Sequence, residues 1–163
     1  MEEPGARAQP SPMSPPGAAS PSTTGTDPTA LSLPELNGGS RFLQAAGLKL
    51  ASVSPSLVIG WMELGPDHQT PWGVVHGGVY ASAIESATSI GASAAAAERG
   101  QIAVGVTNIT NFLRPMTAGR VTVTAKAIQQ GRTQQLWQVD IAEQSGKLVA
   151  IGQVRLQNVE PRA

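Results

Sequence analysis

The chain has 163 residues, of which 40% are hydrophobic and 13% are charged, and it contains no cysteine. Its formal net charge is zero, which argues against a general nucleic-acid-binding surface, and the lack of cysteine excludes disulfides, thiolate metal sites and cysteine nucleophiles. Two histidines, His68 and His76, are too few for a multi-histidine metal cage. The length of the chain predicts one domain, and the counts of cysteine and histidine argue against a metal site.

Two further patterns bear on where the protein works. The chain has no run of about 18 apolar residues that would form a transmembrane helix. Its first residues have neither a basic region nor an apolar core, so they do not resemble a signal peptide. We expect a cytoplasmic protein that binds neither a membrane nor nucleic acid.

Residues 1–40 differ in composition from the rest of the chain. They hold eight of the 13 prolines together with many Ser, Thr, Gly and Ala residues, and apolar side chains are almost absent before Leu31. Such a segment cannot bury enough surface to offset its ordering entropy, so it is predicted to be a disordered arm. Residues 41–163 remain as the folded domain, which is long enough to build a core without disulfides or metals.

The first elements of this domain are predicted to be short. Residues 41–46 fit a short helix. Residues 48–64 have the pattern of extended chain interrupted by Pro55, either as a two-strand hairpin or as one bent strand. Residues 65–67, with the sequence Gly-Pro-Asp, are predicted to form a turn.

One long helix is predicted from Gly77 to Glu98. Apolar residues recur there at spacings of three and four and mark one face, made up of Val79, Ala83, Ala87, Ile90 and Ala94. The other faces carry Ala and Ser rather than Lys and Glu, so we expect the helix to be largely buried. Arg99 and Gly100 are signals for its C-terminal end.

After Gly100 the apolar residues alternate with period two, which is typical of strands. The predicted strands cover residues 102–113, 121–128, 136–141 and 148–156, with turns at 115–119, 130–132 and 145–146. Successive strands joined by short turns form an antiparallel sheet. A single helix of small residues wrapped by a curved antiparallel sheet, here of about five or six strands, is the hotdog fold of the α+β class.

The predicted helix begins with the sequence His76-Gly77-Gly78. No Cβ shields the backbone N–H groups of the glycines, and the first N–H groups of a helix have no partner within it. With the helix dipole, they can hold an anion or a polarised carbonyl oxygen, as an oxyanion hole requires. The alternative is that the glycines only make a tight turn. His76 could contact a substrate, bond a backbone group or pack passively, and we favour a positioning role.

Glu85 is unusual because it lies in a helix that otherwise avoids charge. A buried carboxylate is costly unless it is paired or functional. Glu85 is therefore a candidate base or nucleophile. The alternatives are a salt bridge to Arg99 or another cation, or simple exposure.

The positions of Gly77 and Glu85 restrict how they could act together. Eight residues separate them by about 12 Å along a helix axis, too far for both to touch one reacting carbon. Two helices related antiparallel by a two-fold axis would bring the start of one opposite the middle of the other. If both residues are catalytic, the site is shared between the subunits of an isologous dimer.

These residues carry a resemblance. His76-Gly77-Gly78 followed by Glu85 resembles the motif of the hotdog acyl-CoA thioesterases of the phenylacetate-pathway and 4-hydroxybenzoyl-CoA (Arthrobacter-type) family. Two later segments are similar to the same family. They are the run containing Ala103-Val104-Gly105, Asn108, Thr110, Phe112 and Arg114-Pro115, and Gly131-Arg132-Thr133 before Trp137.

The resemblance implies catalytic roles. The Gly77 N–H would polarise the carbonyl of a thioester, and Glu85 would be the nucleophile or the general base. Ser89, or its neighbour Thr88, would hold the attacking water. The family often has Gln or Asn six residues before the histidine to orient the thioester, whereas this chain has Thr70 there and Gln69 beside it, so Gln69 is the candidate for this contact.

The resemblance also implies substrate contacts and partners. The residues implied to bind substrate or coenzyme A are Gly78, Asn108, Arg114, Arg132 and Thr133. As alternatives to substrate binding, Asn108 would only close a strand or loop, and Arg114 and Arg132 would be solvated residues at strand ends. The implied assembly is a homodimer and further a homotetramer, a dimer of dimers. The three tryptophans, Trp61, Trp72 and Trp137, are expected to pack rather than to recognise substrate.

The predicted function is hydrolysis of an acyl- or aryl-CoA thioester to the free acid and CoA. This chemistry needs no metal and no organic cofactor. The alternative is a non-catalytic acyl-CoA-binding or regulatory hotdog protein, which would not need Glu85. A hotdog hydratase is disfavoured, because it would need a catalytic Asp/His pair and His76 has no Asp at a plausible spacing.

Overall fold

The computed structural model describes residues 32–39 and 41–161. Within these residues the helices are α1 (Leu33–Asn37), α2 (Arg41–Ala46) and α3 (Gly77–Ala97). The strands are β1 (Lys49–Val53), β2 (Leu57–Leu64), β3 (Ile102–Phe112), β4 (Gly119–Gln130), β5 (Gln134–Glu143) and β6 (Leu148–Val159). A 3₁₀ turn, Pro66–His68, precedes α3. The predicted α+β hotdog fold, with one long helix and a six-stranded curved sheet, is confirmed.

The six strands form one antiparallel sheet in the order β1-β2-β4-β5-β6-β3. The predicted extended segment before the first turn is a hairpin, β1–β2, and not one bent strand. The strand β3 pairs with β6 on one side only and is an edge of the sheet. Because β3 directly follows α3 in the chain, the helix and this edge strand run side by side in opposite directions.

Side chains on the concave face of the sheet form the core against α3. The alternation predicted for Trp137, Val139 and Ile141 is confirmed, since all three are fully buried. The same pattern holds in β4, where Val121, Val123 and Ala125 are buried. The expectation that α3 is largely buried also holds, although its buried face is rotated from the predicted one.

The helix turns a different face to the sheet than its apolar spacing predicts. Ala83 and Ala87 are buried as expected, but Val79, Ile90 and Ala94 are only half-buried. The buried positions instead include Tyr80, Ile84, Thr88, Gly91, Ala92, Ala95 and Ala96. Apolar spacing defines the face poorly here because small residues surround the whole helix, and the large side chains Tyr80 and Ile84 decide its orientation.

The N-terminal helices cover one side of the domain. The Asn37 side chain accepts from the Leu50 N–H at 2.7 Å and donates to the Leu50 carbonyl at 3.2 Å, so it occupies the free edge of β1. Leu36 packs against the core. The folded unit therefore includes residues before 41, where the composition predicted the domain to begin. The predicted arm otherwise lies outside the described residues.

None of the helices within the described part of the chain has the length and apolarity to span a membrane.

We predict that Gly91→Ala destabilises the fold although alanine favours helices. A Cβ at this position would lie 2.5 Å from Trp137 Cη2 and 2.8 Å from Val58 Cγ2, so helix and sheet would have to separate. Overpacking of this kind costs about 1–3 kcal/mol, which exceeds the gain in helix propensity of about 1 kcal/mol. Urea unfolding followed by circular dichroism measures the difference.

The control for this experiment is Gly65→Ala, because a Cβ at Gly65 meets nothing within 4 Å. Its φ is −162°, in the extended region that any residue adopts. A Gly91→Ala protein as stable as the wild type would show that the helix can retreat from Trp137 without cost.

Candidate active site

His76 caps the start of α3. It has extended backbone angles (φ −67°, ψ 129°), and its Nδ1 accepts a hydrogen bond from the Gly78 N–H at 2.8 Å. Its own N–H donates to the His68 carbonyl at 2.8 Å. Since Nδ1 is an acceptor here, it is the unprotonated ring nitrogen. The ring of His76 is therefore used to shape the helix entrance.

The two glycine N–H groups at the helix start differ in what they can offer a ligand. The Gly78 N–H is taken by His76, whereas the Gly77 N–H has no acceptor among the described residues. A direct substrate contact by the Gly78 N–H therefore does not fit this geometry. A Cβ at Gly77 would lie 2.7 Å from the exposed ring of Phe112, so a larger residue here requires the ring to move. The available donor is the Gly77 N–H.

Glu85 is half-buried and is held by a neutral amide rather than by a cation. Asn108 Nδ2 donates to Glu85 Oε2 at 3.1 Å and to the Ala81 carbonyl at 3.1 Å. The hydroxyl of Thr110 donates to Asn108 Oδ1 at 2.8 Å, which fixes the orientation of the amide. The suggested salt bridge to Arg99 is absent: within the described residues, the ion pair joins Arg120 to Glu63.

The backbone of β3 lies directly against the Glu85 carboxylate. A Cβ at Gly105 would overlap Glu85 Oε1. The pairing of β3 with β6 shifts register between Gly105 and Thr107, which marks a bulge. Because of this bulge, Gly105 and Asn108 both face the helix although three positions separate them.

The hydroxyl groups of Ser89 and Thr88, the two residues suggested to hold water, have different surroundings. Ser89 Oγ lies 3.5 Å from Glu85 Oε1. Thr88 is fully buried, and its hydroxyl donates to the carbonyls of Ile84 and Glu85. The Thr88 hydroxyl therefore points into the core, and only Ser89 is placed to orient a water at the carboxylate.

The side-chain amide of Gln69 is already engaged within the region of the loop before α3. The amide of Gln69 donates to the Thr117 carbonyl at 2.7 Å, and its backbone bridges to Val75. The loop is tight, with the Thr70 N–H bonded to the Val74 carbonyl at 2.7 Å. At its tip, Trp72 is 84% exposed. The expectation that Trp72 packs is not met within this chain.

The residues implied to bind coenzyme A lie at opposite ends of the sheet. Arg114 Nε donates to the Leu148 carbonyl at 3.1 Å, at the start of β6. Arg132 and Thr133 adjoin Asn158, at the end of β6. Ten residues of extended strand separate these points by about 30 Å. One phosphate group cannot contact both arginines of a single chain.

Tyr80 is a buried polar group that neither pattern nor motif indicated. Its hydroxyl has no hydrogen-bond partner among the described residues, and burial raises the pKa of the phenol above its usual range. Its ring centroid lies 6.4 Å from that of Phe112, the ring that covers Gly77. Tyr80 supports the helix start by packing.

The arrangement can carry out one kind of chemistry. It offers an anchored carboxylate with a hydroxyl beside it and, about 12 Å away along α3, an unused N–H donor at a helix start. The described residues contain no cluster of three or more His, Cys, Asp or Glu that could bind a metal ion. A carboxylate and an oxyanion donor are the groups needed to add water to a polarised carbonyl.

Two supporting residues, Gly105 and Thr110, had no role assigned from the sequence. Both lie in the run that resembles the thioesterase family. A glycine within a strand is a signal for a bulge or a close approach, and this signal was available for Gly105. No local pattern links Thr110 to Glu85, because the contact passes through Asn108.

The chain is similar to proteins named as esterases and thioesterases. The family model described as Thioesterase superfamily matches residues 73–150. The Mycobacterium tuberculosis protein Rv1847, which carries the name of an esterase, is 42% identical over 71% of this chain and 84% of that protein. Its solved structure matches with a TM-score of 0.72, at 40% identity, over 76% of this chain and 100% of that one.

Two further relatives have more specific names. The 1,4-dihydroxy-2-naphthoyl-CoA hydrolase of Listeria monocytogenes is 34% identical over 66% of this chain and 87% of that protein. The structure of the Haemophilus influenzae thioesterase HI1161 matches with a TM-score of 0.73, at 29% identity, over 80% of this chain and 92% of that one.

We predict that Gly105→Ala displaces the Glu85 carboxylate and lowers the hydrolysis rate at least tenfold while the protein stays folded. The added Cβ overlaps Glu85 Oε1, the mobile end of a long side chain, so the carboxylate moves rather than the backbone. Misplacing a reacting group by about 1 Å can cost on the order of 100-fold in rate. The thioesterase rate and a crystal structure of the variant test this.

A double variant provides the control. If Gly105 acts only through Glu85, Gly105→Ala should cause no further loss of rate in a Glu85→Gln background. An additive loss would assign Gly105 a separate role.

Proposed function

Because the chain belongs to the thioesterase superfamily, we propose that it hydrolyses acyl-CoA thioesters, with Glu85 as the catalytic carboxylate and the Gly77 N–H as the oxyanion donor. The observation that carries this proposal is the Glu85 carboxylate, held against Gly105 by Asn108. A carboxylate that is positioned but not neutralised by a cation is suited to react. The products are the free acid and CoA.

Two routes use the same groups. As a general base, Glu85 takes a proton from a water oriented by Ser89, and the resulting hydroxide attacks the thioester carbon. As a nucleophile, Glu85 attacks this carbon itself, and water then hydrolyses the anhydride. In both routes the carbonyl oxygen gains negative charge opposite the Gly77 N–H, and the C–S bond breaks to release the CoA thiolate, which takes up a proton.

The site requires two subunits, and β3 supplies the surface on which they would pair. It is an edge strand with exposed apolar side chains, including Val106 at 55% and Ile109 at 58% exposure. Such an edge is a template for strand pairing. In each chain Phe112 covers Gly77, while Gly105 contacts Glu85, at the other end of β3.

Antiparallel pairing of two β3 strands about a two-fold axis near Asn108 would exchange these ends. The partner subunit's Gly77 would then face Glu85, as a shared site requires. The same operation would bring the partner subunit's Arg114 to the site that contains Arg132 and Thr133, so both arginines could contact one coenzyme A. We propose a dimer of this kind, which could assemble further into a tetramer.

The proposed substrate is an acyl- or aryl-CoA thioester in the cytoplasm. The His76-Gly77-Gly78 and Glu85 motif resembles that of thioesterases acting in the phenylacetate pathway and on 4-hydroxybenzoyl-CoA. The name of the Listeria relative specifies a dihydroxynaphthoyl-CoA substrate. A panel of aryl-, arylacetyl- and fatty acyl-CoAs, followed by release of free thiol, ranks the acyl groups.

We predict that Glu85→Gln lowers kcat by about 10²–10⁴, the range for loss of a catalytic base, while the fold and acyl-CoA binding survive. The amide keeps the shape of the side chain but cannot accept a proton or attack. Thiol release on the best substrate of the panel measures the rate. The matched control is Glu98→Gln, at the exposed C-terminal end of α3, which should keep wild-type activity.

If Glu85→Gln keeps more than about a tenth of the wild-type kcat, the carboxylate is structural and a different catalytic group must be sought. If the wild type binds acyl-CoA but hydrolyses no member of the panel, the protein is a binding module.

We predict that Gly77→Pro abolishes hydrolysis, because proline removes the one N–H that the oxyanion needs. Gly77 is the first residue of α3, where proline is tolerated, and His76 already has the extended ψ of 129° that a following proline requires. Gly77→Ala is the matched control, since it adds the same Cβ beneath Phe112 and keeps the N–H.

Mixing the two inactive proteins tests the shared site. When subunits of Glu85→Gln and Gly77→Pro exchange at random, half of the dimers are mixed, and each mixed dimer has one intact site of two. Activity should return to about a quarter of the wild-type value. If no activity returns although subunits exchange, each chain contains a complete site.

A further inference from the structure

A buried amide network lies beneath the loop between β4 and β5. Gln135 is 1% exposed, and its Nε2 donates to the Ala92 carbonyl and to Asn158 Oδ1, both at 2.8 Å. Its Oε1 accepts from Trp137 Nε1 at 3.0 Å and from Gln130 Nε2 at 3.1 Å. Both amide hydrogens and both acceptor positions of Gln135 are used. A buried amide satisfied in this way permits one arrangement of its neighbours.

Asn158 connects this network to the loop. It is 6% exposed, and its Nδ2 donates to the carbonyls of Gly131 and Arg132, each at 3.1 Å. Its backbone N–H donates to the Thr133 carbonyl at 2.9 Å. Three consecutive loop carbonyls therefore end on one residue. The side chains of Arg132 and Thr133 remain exposed, and the Arg132 guanidinium has no partner among the described residues.

We infer that Gln135 and Asn158 are positioning residues that hold the Gly131–Thr133 loop ready to bind the phosphate groups of coenzyme A. This inference rests on the proposed function. A loop fixed before binding loses less conformational entropy when the ligand arrives, so its affinity is higher. Gln135 also ties the loop to Ala92 of α3, the helix that carries Glu85 about 10 Å away. The network thus sets the nucleotide end of the substrate at a constant distance from the carboxylate.

The test is Asn158→Asp, with KM and kcat measured on an acyl-CoA and on the matching acyl-pantetheine. One carboxylate oxygen still accepts from Gln135. The other replaces the amide donor and faces the carbonyls of Gly131 and Arg132, so both hydrogen bonds to the loop are lost and the loop is released. Because the loop contact is made equally in the ground state and the transition state, KM for acyl-CoA should rise about tenfold while kcat is retained. KM for acyl-pantetheine, which lacks the nucleotide, should stay unchanged.

Two controls separate positioning from charge and from stability. Gln157→Glu adds the same negative charge one residue away on an exposed side chain of β6 and should leave KM unchanged. In an Arg132→Ala background, Asn158→Asp should raise KM no further, since its effect passes through the loop. If Asn158→Asp does not fold, Asn158→Ala removes the same two hydrogen bonds, together with the acceptor for Gln135, without burying a charge, and carries the same expectation.

The outcomes distinguish this inference from the proposed function. Calorimetric titration of CoA into the wild type and the folded variant measures the binding of the nucleotide without catalysis, and weaker binding by the variant supports the inference. A wild type that hydrolyses acyl-CoA, together with a variant whose KM is unchanged or rises equally on both substrates, overturns the inference alone. A wild type that neither hydrolyses acyl-CoA nor binds CoA overturns both.

Discussion

The site depends on how closely α3 approaches the sheet. At three points of contact a glycine permits this approach, because an added Cβ would displace a neighbouring side chain: Gly91 of the helix beneath Trp137, Gly152 of β6 beneath Ile84, and Gly105 of β3 beneath the Glu85 carboxylate. Small residues on the rest of the helix permit the same separation along its length. A wider gap would leave Asn108 too far away to reach both the helix backbone and Glu85. The distance between α3 and the sheet therefore determines both the packing of the core and the position of the Glu85 carboxylate.

The choice of partner for Glu85 has a chemical consequence. A cation beside the carboxylate would stabilise its charge and reduce its tendency to accept a proton or attack carbon. The partner is instead the neutral amide of Asn108, whose hydrogen bond to the charged carboxylate contributes about 1.5–3 kcal/mol and leaves the negative charge without a counter-charge. Thr110 restrains that amide in turn, which adds positional order without adding charge. A cation is available nearby in the sequence, but Arg99, on the turn after α3, is exposed and does not pair with Glu85.

Much of the fold could be predicted from the sequence, because period-two alternation and one long segment of small residues are local signals. The isolated acid in an uncharged helix and the two glycines after His76 were also visible. The partner of Glu85 was not visible. Strict alternation along β3 would place Gly105 and Asn108 on opposite faces of the strand. The bulge between Gly105 and Thr107 brings them to the same face, and its position depends on pairing with β6.

The buried amide of Gln135 was hidden for a related reason. In the sequence, Gln134 and Gln135 have the appearance of a polar strand end at a solvent-exposed turn. Burial of Gln135 depends on two groups that are distant in the chain, Ala92 of α3 and Asn158 of β6, and on Trp137 of its own strand. Hydrophobic pattern and propensity describe which residues avoid water. They do not indicate which polar residues have enough hydrogen-bond partners to be buried.

The strand β3 has two functions that cannot be separated. One side of it carries Gly105 and Asn108, which hold Glu85, and its free edge is the surface for the proposed pairing with a second chain. A strand paired on both edges is more rigid than an edge strand, because every backbone group then has a partner. In the proposed dimer, association would bring the partner subunit's Gly77 to the carboxylate and would also steady the strand that positions it. Assembly of the shared site and the stiffening of the strand that holds Glu85 would then be the same event.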